Sequence, residues 1–395
     1  MIAAARAEEV ARASYGRLLA VLAARTGDIR AAEDALADAF ERALRVWPES
    51  GIPDNPEGWL VTVAKNRWLD ELKRPVITAA HSLHSLPSRT ALDLDQIPDK
   101  RLELMFVCAH PAIDAAVRTP LMLQVVLGFE ASDIASAFAM PTSTMAQRLV
   151  RAKRRIKDAR IPFVLPARED MHRRLPSVLE AVYGAYAIDW HVVAGTSERD
   201  SLAAESRYLA ILLATLLDDQ PEAHGLAALL CLSAARESER SQTGRFVPLD
   251  EQDPTRWDSA LIAQGESFLR RAHSLGAIGR FQLEAAIQSA HCATAITGFT
   301  DWTVLRRLHE GLIRIAPTLG AHVSLSAVVA HIDGPHAALD MLDALGEPAF
   351  QPFWATKAHL LAKTAGPDAA AVAYAKALSL TTDPAVREYL ASRMK

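Results

Sequence analysis

Residues 131–160, ASDIASAFAMPTSTMAQRLVRAKRRIKDAR, oblige two helices to meet at a sharp bend. Ser132 and Asp133 are N-capping residue types, and Ile134, Ala135 and Phe138 then share one face of a short helix. Met140-Pro141 stops that helix, because proline disfavours helical geometry in the residue before it. Thr142, Ser143 and Thr144 open a second helix, on which Met145, Leu149, Ala152 and Ile156 form an apolar stripe. Its other faces carry basic side chains. Between 148 and 160, seven Lys/Arg stand against one acidic residue, an excess that a merely solvated amphipathic helix does not require. Short helix, tight turn and basic helix make the helix-turn-helix pattern, whose second helix enters a major groove. Thr142, Ser143, Thr144, Gln147 and Arg148 are then the base-side candidates, and Arg151, Lys153 and Arg155 the phosphate candidates.

Half of the 395 residues are apolar, Ala and Leu dominate, and β-branched runs are few, which predicts an all-α chain of two to three domains. The net charge of −4 is uneven. Residues 1–165 hold 22 Lys/Arg and 20 Asp/Glu, and the remainder holds 21 and 27, so the halves carry +2 and −6. The basic character is therefore local, and a general polyanion binder is excluded. Cys108, Cys231 and Cys292 are far apart, which suits buried thiols better than disulfides or zinc. The start, MIAAARAEEVARAS, is too charged for a secretory signal, and no window approaches about 18 uncharged apolar residues. A cytoplasmic protein is expected.

Three helices are predicted before residue 75: 8–24, 30–46 and 57–74, the second and third joined by a loop WPESGIPDNP. Asn55-Pro56-Glu57 is a helix start. Residues 76–99 read as a linker with scattered Pro, Ser, Thr and His. A second block over 100–162 holds helices at 100–109, 112–117 and 120–127 and ends in the helix-turn-helix. From 170 to 395 the chain becomes a series of Ala/Leu-rich helices. There AVAYAKALSL (371–380) followed by Asp383-Pro384 is similar to a tetratricopeptide helix and its turn, and the whole reads as a degenerate helical-repeat array.

AEDALADAFERAL (32–44), NPEGWLVTVAKNRWLDELKR (55–74) and DIASAFAMPTSTMAQRLVRAKRRI (133–156) together resemble regions 2 and 4 of bacterial sigma factors of the extracytoplasmic-function group. The remaining chain resembles the subgroup with a C-terminal tetratricopeptide-like extension, through LLDDQPEAHGLAALLCLSAAR (216–236), LDEQDPTRWDSALIAQG (249–265) and FQLEAAIQSAHC (281–292). The resemblance implies core RNA polymerase and promoter DNA as partners. It places polymerase contacts at Glu33, Asp34, Asp38 and Glu41, and −35 reading on the basic helix. It places −10 melting and reading on Trp59, Lys65, Asn66, Arg67, Lys73 and Arg74, with the loop Pro48–Asp54 as a pocket wall for a flipped base. Strand opening needs stacking or amide groups beside cations, and that helix supplies both. The acidic extension is expected to regulate activity in cis, through contact with the sigma domains.

Asp189, Trp190 and His191 stand where the subgroup has a different run, and are candidates for such a contact. His81 and His84 are spaced like metal ligands, yet no second pair lies nearby, so surface histidines are expected and no metal or cofactor. No phosphate loop, nucleophile elbow or acid–base constellation is present, so no catalysis is expected. An alternative of a different class is a helix-turn-helix transcriptional regulator with a ligand- or protein-binding helical-repeat domain.

Overall fold

The structure, a computed structural model, describes residues 2–73, 99–190, 197–242 and 244–394. Of the expected linker over 76–99, residues 76–98 with His81 and His84 lie outside the described residues, as do Arg74 and His191 and the side chains of Lys73, Asp189 and Trp190. The fold is all-α, with a single two-residue-per-strand hairpin among the described residues. It comprises two compact units, Met1–Ala185 and Tyr186–Lys395.

The first unit begins with α1 (Ile2–Thr26), α2 (Ile29–Ser50) and α3 (Pro56–Lys73), which pack on one another. Asp28 starts α2 by accepting the Arg30 and Ala31 amides at 3.0 and 3.4 Å. Ile29, Ala32, Ala35, Leu36, Ala39, Ala43 and Trp47 then bury one stripe at helical spacing. That stripe carries α2 through Pro48, and Gly51 at φ +85 ends it, so the loop expected from Trp47 shrinks to residues 51–55. Asn55 caps α3 by accepting the Gly58 amide at 2.7 Å, with Pro56 as first helical residue.

Four helices follow: α4 (Arg101–Cys108), α5 (Ala115–Val125), α6 (Ala131–Ala137) and α7 (Thr142–Asp158). α5 is one helix through Pro120, where the sequence suggested two; Pro120, Leu121 and Met122 are buried, and their packing offsets the missing amide. α1 packs against α4 and α5, and α2 against α7. At Gly16 the contact is backbone to backbone. An added Cβ there would lie 1.8 Å from the Val126 carbonyl oxygen, so only glycine lets α1 approach α5 this closely. α8 (Arg168–Trp190) contributes Val178, Leu179, Ala181, Val182 and Ala185 to the core, and Arg174 donates to the Phe106 carbonyl at 3.0 Å. The first unit therefore extends past the expected boundary at 162.

In the second unit α9 (Ser197–Leu216), α12 (Ser259–Ser274) and α13 (Arg280–Cys292) pack around α10 (Pro221–Ala234). Every residue of α10 from Ala223 to Ala234 is buried, which is why its apolar residues show no preferred face. Glu222 at its start accepts the Phe281 and Gln282 amides at 2.9 and 3.1 Å and so caps α13 from a neighbouring helix. Between them lie the single turn α11 (Glu237–Arg240) and the hairpin of β1 (Ser241–Gln242) and β2 (Arg245–Phe246). Beyond α13 come α14 (Thr294–Thr297), α15 (Trp302–Ile315), α16 (Leu319–Ile332), α17 (Pro335–Asp343), α18 (Gln351–Thr364), α19 (Pro367–Ser379) and α20 (Pro384–Ser392). From α15 onward each helix packs on the next in chain order. Phe353, Trp354 and Tyr374 sit in the largest apolar cluster of that series.

Candidate nucleic-acid interface

The bend at 138–141 is built by backbone rather than by side-chain caps. The Met140 amide donates to Ala135 at 3.0 Å and the Ala139 amide to Ser136 at 3.1 Å, with Ala139 at φ +50. This is a Schellman-type ending in which alanine occupies the left-handed position usually given to glycine. The N-cap of α6 is Glu130, not Ser132 or Asp133, which lie inside the helix or at its first turn. Ile134 and Ala135 are buried as expected, but Phe138 is 40% exposed, because the chain has already turned away from the core there.

On α7 the stripe Met145, Leu149, Ala152 and Ile156 is buried. Thr142, Ser143 and Gln147 at its start are exposed, and Thr144 and Arg148 are half-buried. Arg151 and Arg155 are exposed; the Arg151 Nε leans on the Gln147 carbonyl at 3.4 Å. Lys153 behaves differently. It is buried, and its Nζ lies 2.5 Å from Glu33 Oε1 on α2. One turn on, Lys157 Nζ pairs with Asp28 at 2.7 Å, the same carboxylate that caps α2. Two cations of α7 thus clasp the first turn of α2. Close by, burial pushes the Tyr15 hydroxyl up, with Glu33, Glu130 and Asp34 adding to the effect.

Of the acidic candidates on α2, Asp34 and Glu41 are exposed, Glu41 pairing with Arg45 at 3.3 Å. Asp38 is half-buried and accepts from Arg67 Nε at 2.5 Å. On α3, Lys65 and Asn66 are exposed side by side, and Arg67 is turned to Asp38. Trp59 stands edge-on to the buried Trp47, ring centroids 5.5 Å apart at 63°. The exposed amide and ammonium of Asn66 and Lys65 are thus held on a helix anchored by tryptophan packing.

Sequence reasoning missed the clasp of Lys153 and Lys157 on Glu33 and Asp28. A signal was present for Lys153, which follows Leu149 by four and precedes Ile156 by three, on the flank of the buried stripe. Among the described residues no group of His, Cys, Asp or Glu is placed to hold a metal ion. All three cysteines are free and buried. No described helix is long and apolar enough to cross a membrane.

Residues 10–75, which include α2 and α3, match Sigma-70 region 2. Residues 174–273 match a family of unknown function, DUF6596. The chain thus carries a sigma-70 region 2 domain near its N-terminal end. It belongs to the same family as the uncharacterized protein R00370 of Rhizobium meliloti (strain 1021), 31% identical over 372 residues that cover 91% of this chain and 88% of that protein. It is also similar to the probable ECF RNA polymerase sigma factor SigI of Mycobacterium tuberculosis, in strains CDC 1551 / Oshkosh and ATCC 25618 / H37Rv. There the identity is 33% over 147 residues, 34% of this chain and 49% of the relative. No solved structure matches the chain.

Proposed function

We propose that this protein is a sigma factor of the extracytoplasmic-function type that binds core RNA polymerase and directs promoter-specific initiation. The observation that carries this reading is the sigma-70 region 2 match, which falls on α2 and α3, where Lys65 and Asn66 stand exposed. α2 offers polymerase Asp34 and Glu41, with Glu33 and Asp38 joining once their cations move aside. Trp59, Lys65, Asn66, Arg67, Lys73 and Arg74 form the −10 set. Thr142, Ser143, Thr144, Gln147 and Arg148 read the −35 element, with Arg151, Arg155 and a released Lys153 on phosphate. The second unit regulates these steps in cis.

In this reading the pairing of α7 with α2 is a closed arrangement, and docking on polymerase frees Glu33 from Lys153. Run-off transcription with purified core polymerase and the full chain tests the reading. Transcript from a cognate promoter, selected from random templates by the reconstituted holoenzyme, is the expected result. Sequence-specific DNA binding without any transcript would instead mark an operator-binding regulator.

A further inference from the structure

Arg236, directly after α10, is a buried guanidinium with no carboxylate partner among the described residues. It donates to Gln288 Oε1 and lies over the Trp257 ring, 5.8 Å from its centroid. Among the other groups it faces are Cys292, Tyr186, His291 and Arg240, none of them a carboxylate. Burial pushes the Cys292 thiol up to about 11 and the Tyr186 hydroxyl up as well, so both are neutral at pH 7. Two N–H donors stacked here, Arg236 Nε and Trp257 Nε1, are buried without an acceptor. A buried cation and an orphaned donor on the same guanidinium are each costly, and one anion against Arg236 would relieve both.

A cavity of about 230 Å³ adjoins this place, lined by Arg236, Arg240, Phe246, Val247, Pro248 and Leu249, with Gln252 alongside. Arg240 stacks over Phe246, its guanidinium 5.8 Å from the ring centroid. Glu237 and Asp383 lie within electrostatic reach of Arg240, and Glu239 is engaged by Arg256 at 3.1 Å, so the uncompensated positive charge is that of Arg236. Gln252 also lines it, donating its amide to the Val247 carbonyl at 3.0 Å and leaving its Oε1 buried without a donor; the rest of the lining is apolar. Cavities of about 150 Å³ accept benzene, so this volume takes a ring or short chain with a head group.

We propose that this cavity binds a small organic carboxylate, its head on Arg236 and Arg240 and its hydrocarbon against Phe246, Val247 and Leu249. Guanidinium forks match the two oxygens of a carboxylate, and the apolar wall selects against hydrated inorganic anions. Occupancy of the cavity does not depend on promoter reading.

Equilibrium dialysis of the full chain against radiolabelled benzoate tests the proposal, with hexanoate, benzamide and inorganic phosphate as competitors. Saturable binding of one benzoate per chain is expected, displaced by hexanoate and not by the neutral amide or phosphate. Arg240→Gln and Val247→Trp should each weaken binding about tenfold or more, as lost charge pairing and a filled cavity require. Both variants are first matched to the parent in thermal melting, with Leu249→Trp replacing Val247→Trp if that chain does not fold. No saturable binding at about 5 mM, a weak limit for so small a ligand, would overturn the proposal. So would equal displacement by benzamide or phosphate, or binding unchanged in the folded variants.

Discussion

Lys153 on α7 and Glu33 on α2 meet at 2.5 Å, 120 residues apart in sequence, with both side chains largely out of solvent. One was expected on phosphate and the other on polymerase, and here each is the other's partner. Removing one member of a sheltered pair leaves the other desolvated. Lys153→Ala should therefore lower stability by about 1–3 kcal/mol, whereas Lys153→Met, which keeps the stem, recovers part of it with Glu33→Gln. Urea unfolding in a double-mutant cycle checks this; additive effects would show that the pair is not coupled. If docking on polymerase breaks the pair, Lys153→Met with Glu33 intact should also bind core polymerase more tightly than the parent chain.

Gly16 permits the approach of α1 to Val126. Gly16→Ala places a methyl group 1.8 Å from a carbonyl oxygen that belongs to backbone and cannot swing away. The expected cost is several kcal/mol, far above the gain of about 1 kcal/mol that alanine normally brings to a helix interior. Thermal melting decides the sign. A stabilised variant would mean that α1 and α5 do not touch in solution.

The half-buried Arg148 and the exposed Arg151 of α7 are the place to separate DNA binding from folding. Arg148→Glu with Arg151→Glu should leave the melting curve within about 0.5 kcal/mol of the parent, because neither side chain is buried. Affinity for promoter DNA should fall steeply, and the salt dependence of log K should flatten by about one to two counterions. Fluorescence anisotropy across a salt series measures both.

Acid should unfold the second unit through its buried imidazoles. Burial pushes His309 down to about 4 and, with Arg236 and His309 adding, His291 down to about 3. Both take a proton more readily in the unfolded chain, near pH 6.5. Their stabilisation is thus complete above that pH and lost progressively as pH falls toward 4. His309→Gln should flatten the dependence of melting temperature on pH between 6.5 and 4.5. Parallel curves for parent and variant would remove His309 from the account.

Truncation at residue 165, just past the boundary at 162 expected from sequence, should destabilise the first unit. It deletes Arg174, which satisfies the Phe106 carbonyl at 3.0 Å, and the buried Val178 and Val182. A chain ending after Trp190 keeps these groups. Comparing the melting temperatures of the two checks the boundary.

Much of this was legible because helical spacing is a local signal. The stripe from Ile29 to Trp47 and that from Met145 to Ile156 announce their helices, and Asn55-Pro56 announces a start. What escaped was non-local. Nothing within a few residues of Lys153 names Glu33 as its partner, and nothing near Gly16 points to Val126. Pro120 read as a break because local propensity speaks against it, while tertiary packing of its neighbours prevailed. Phe138 read as core because its spacing fits, yet the left-handed Ala139 that follows turns the chain outward. The hairpin at 241–246 has two residues per strand, too few for any alternation to register. Of the site, the exposed Lys65, Asn66, Gln147 and Arg151 were within reach of sequence; the engagement of Glu33, Asp38, Lys153 and Arg67 with one another was not.

The wholly buried α10 has a consequence during synthesis. It leaves the ribosome as a largely apolar segment, Leu226 to Leu232 without a polar side chain, and its covering helices α12 and α13 are complete only at Cys292. At about 5–20 residues per second that interval lasts several seconds, during which the nascent chain displays its stickiest helix uncovered. The second unit should therefore depend on chaperones, or on slow translation at low temperature, far more than the amphipathic helices before it.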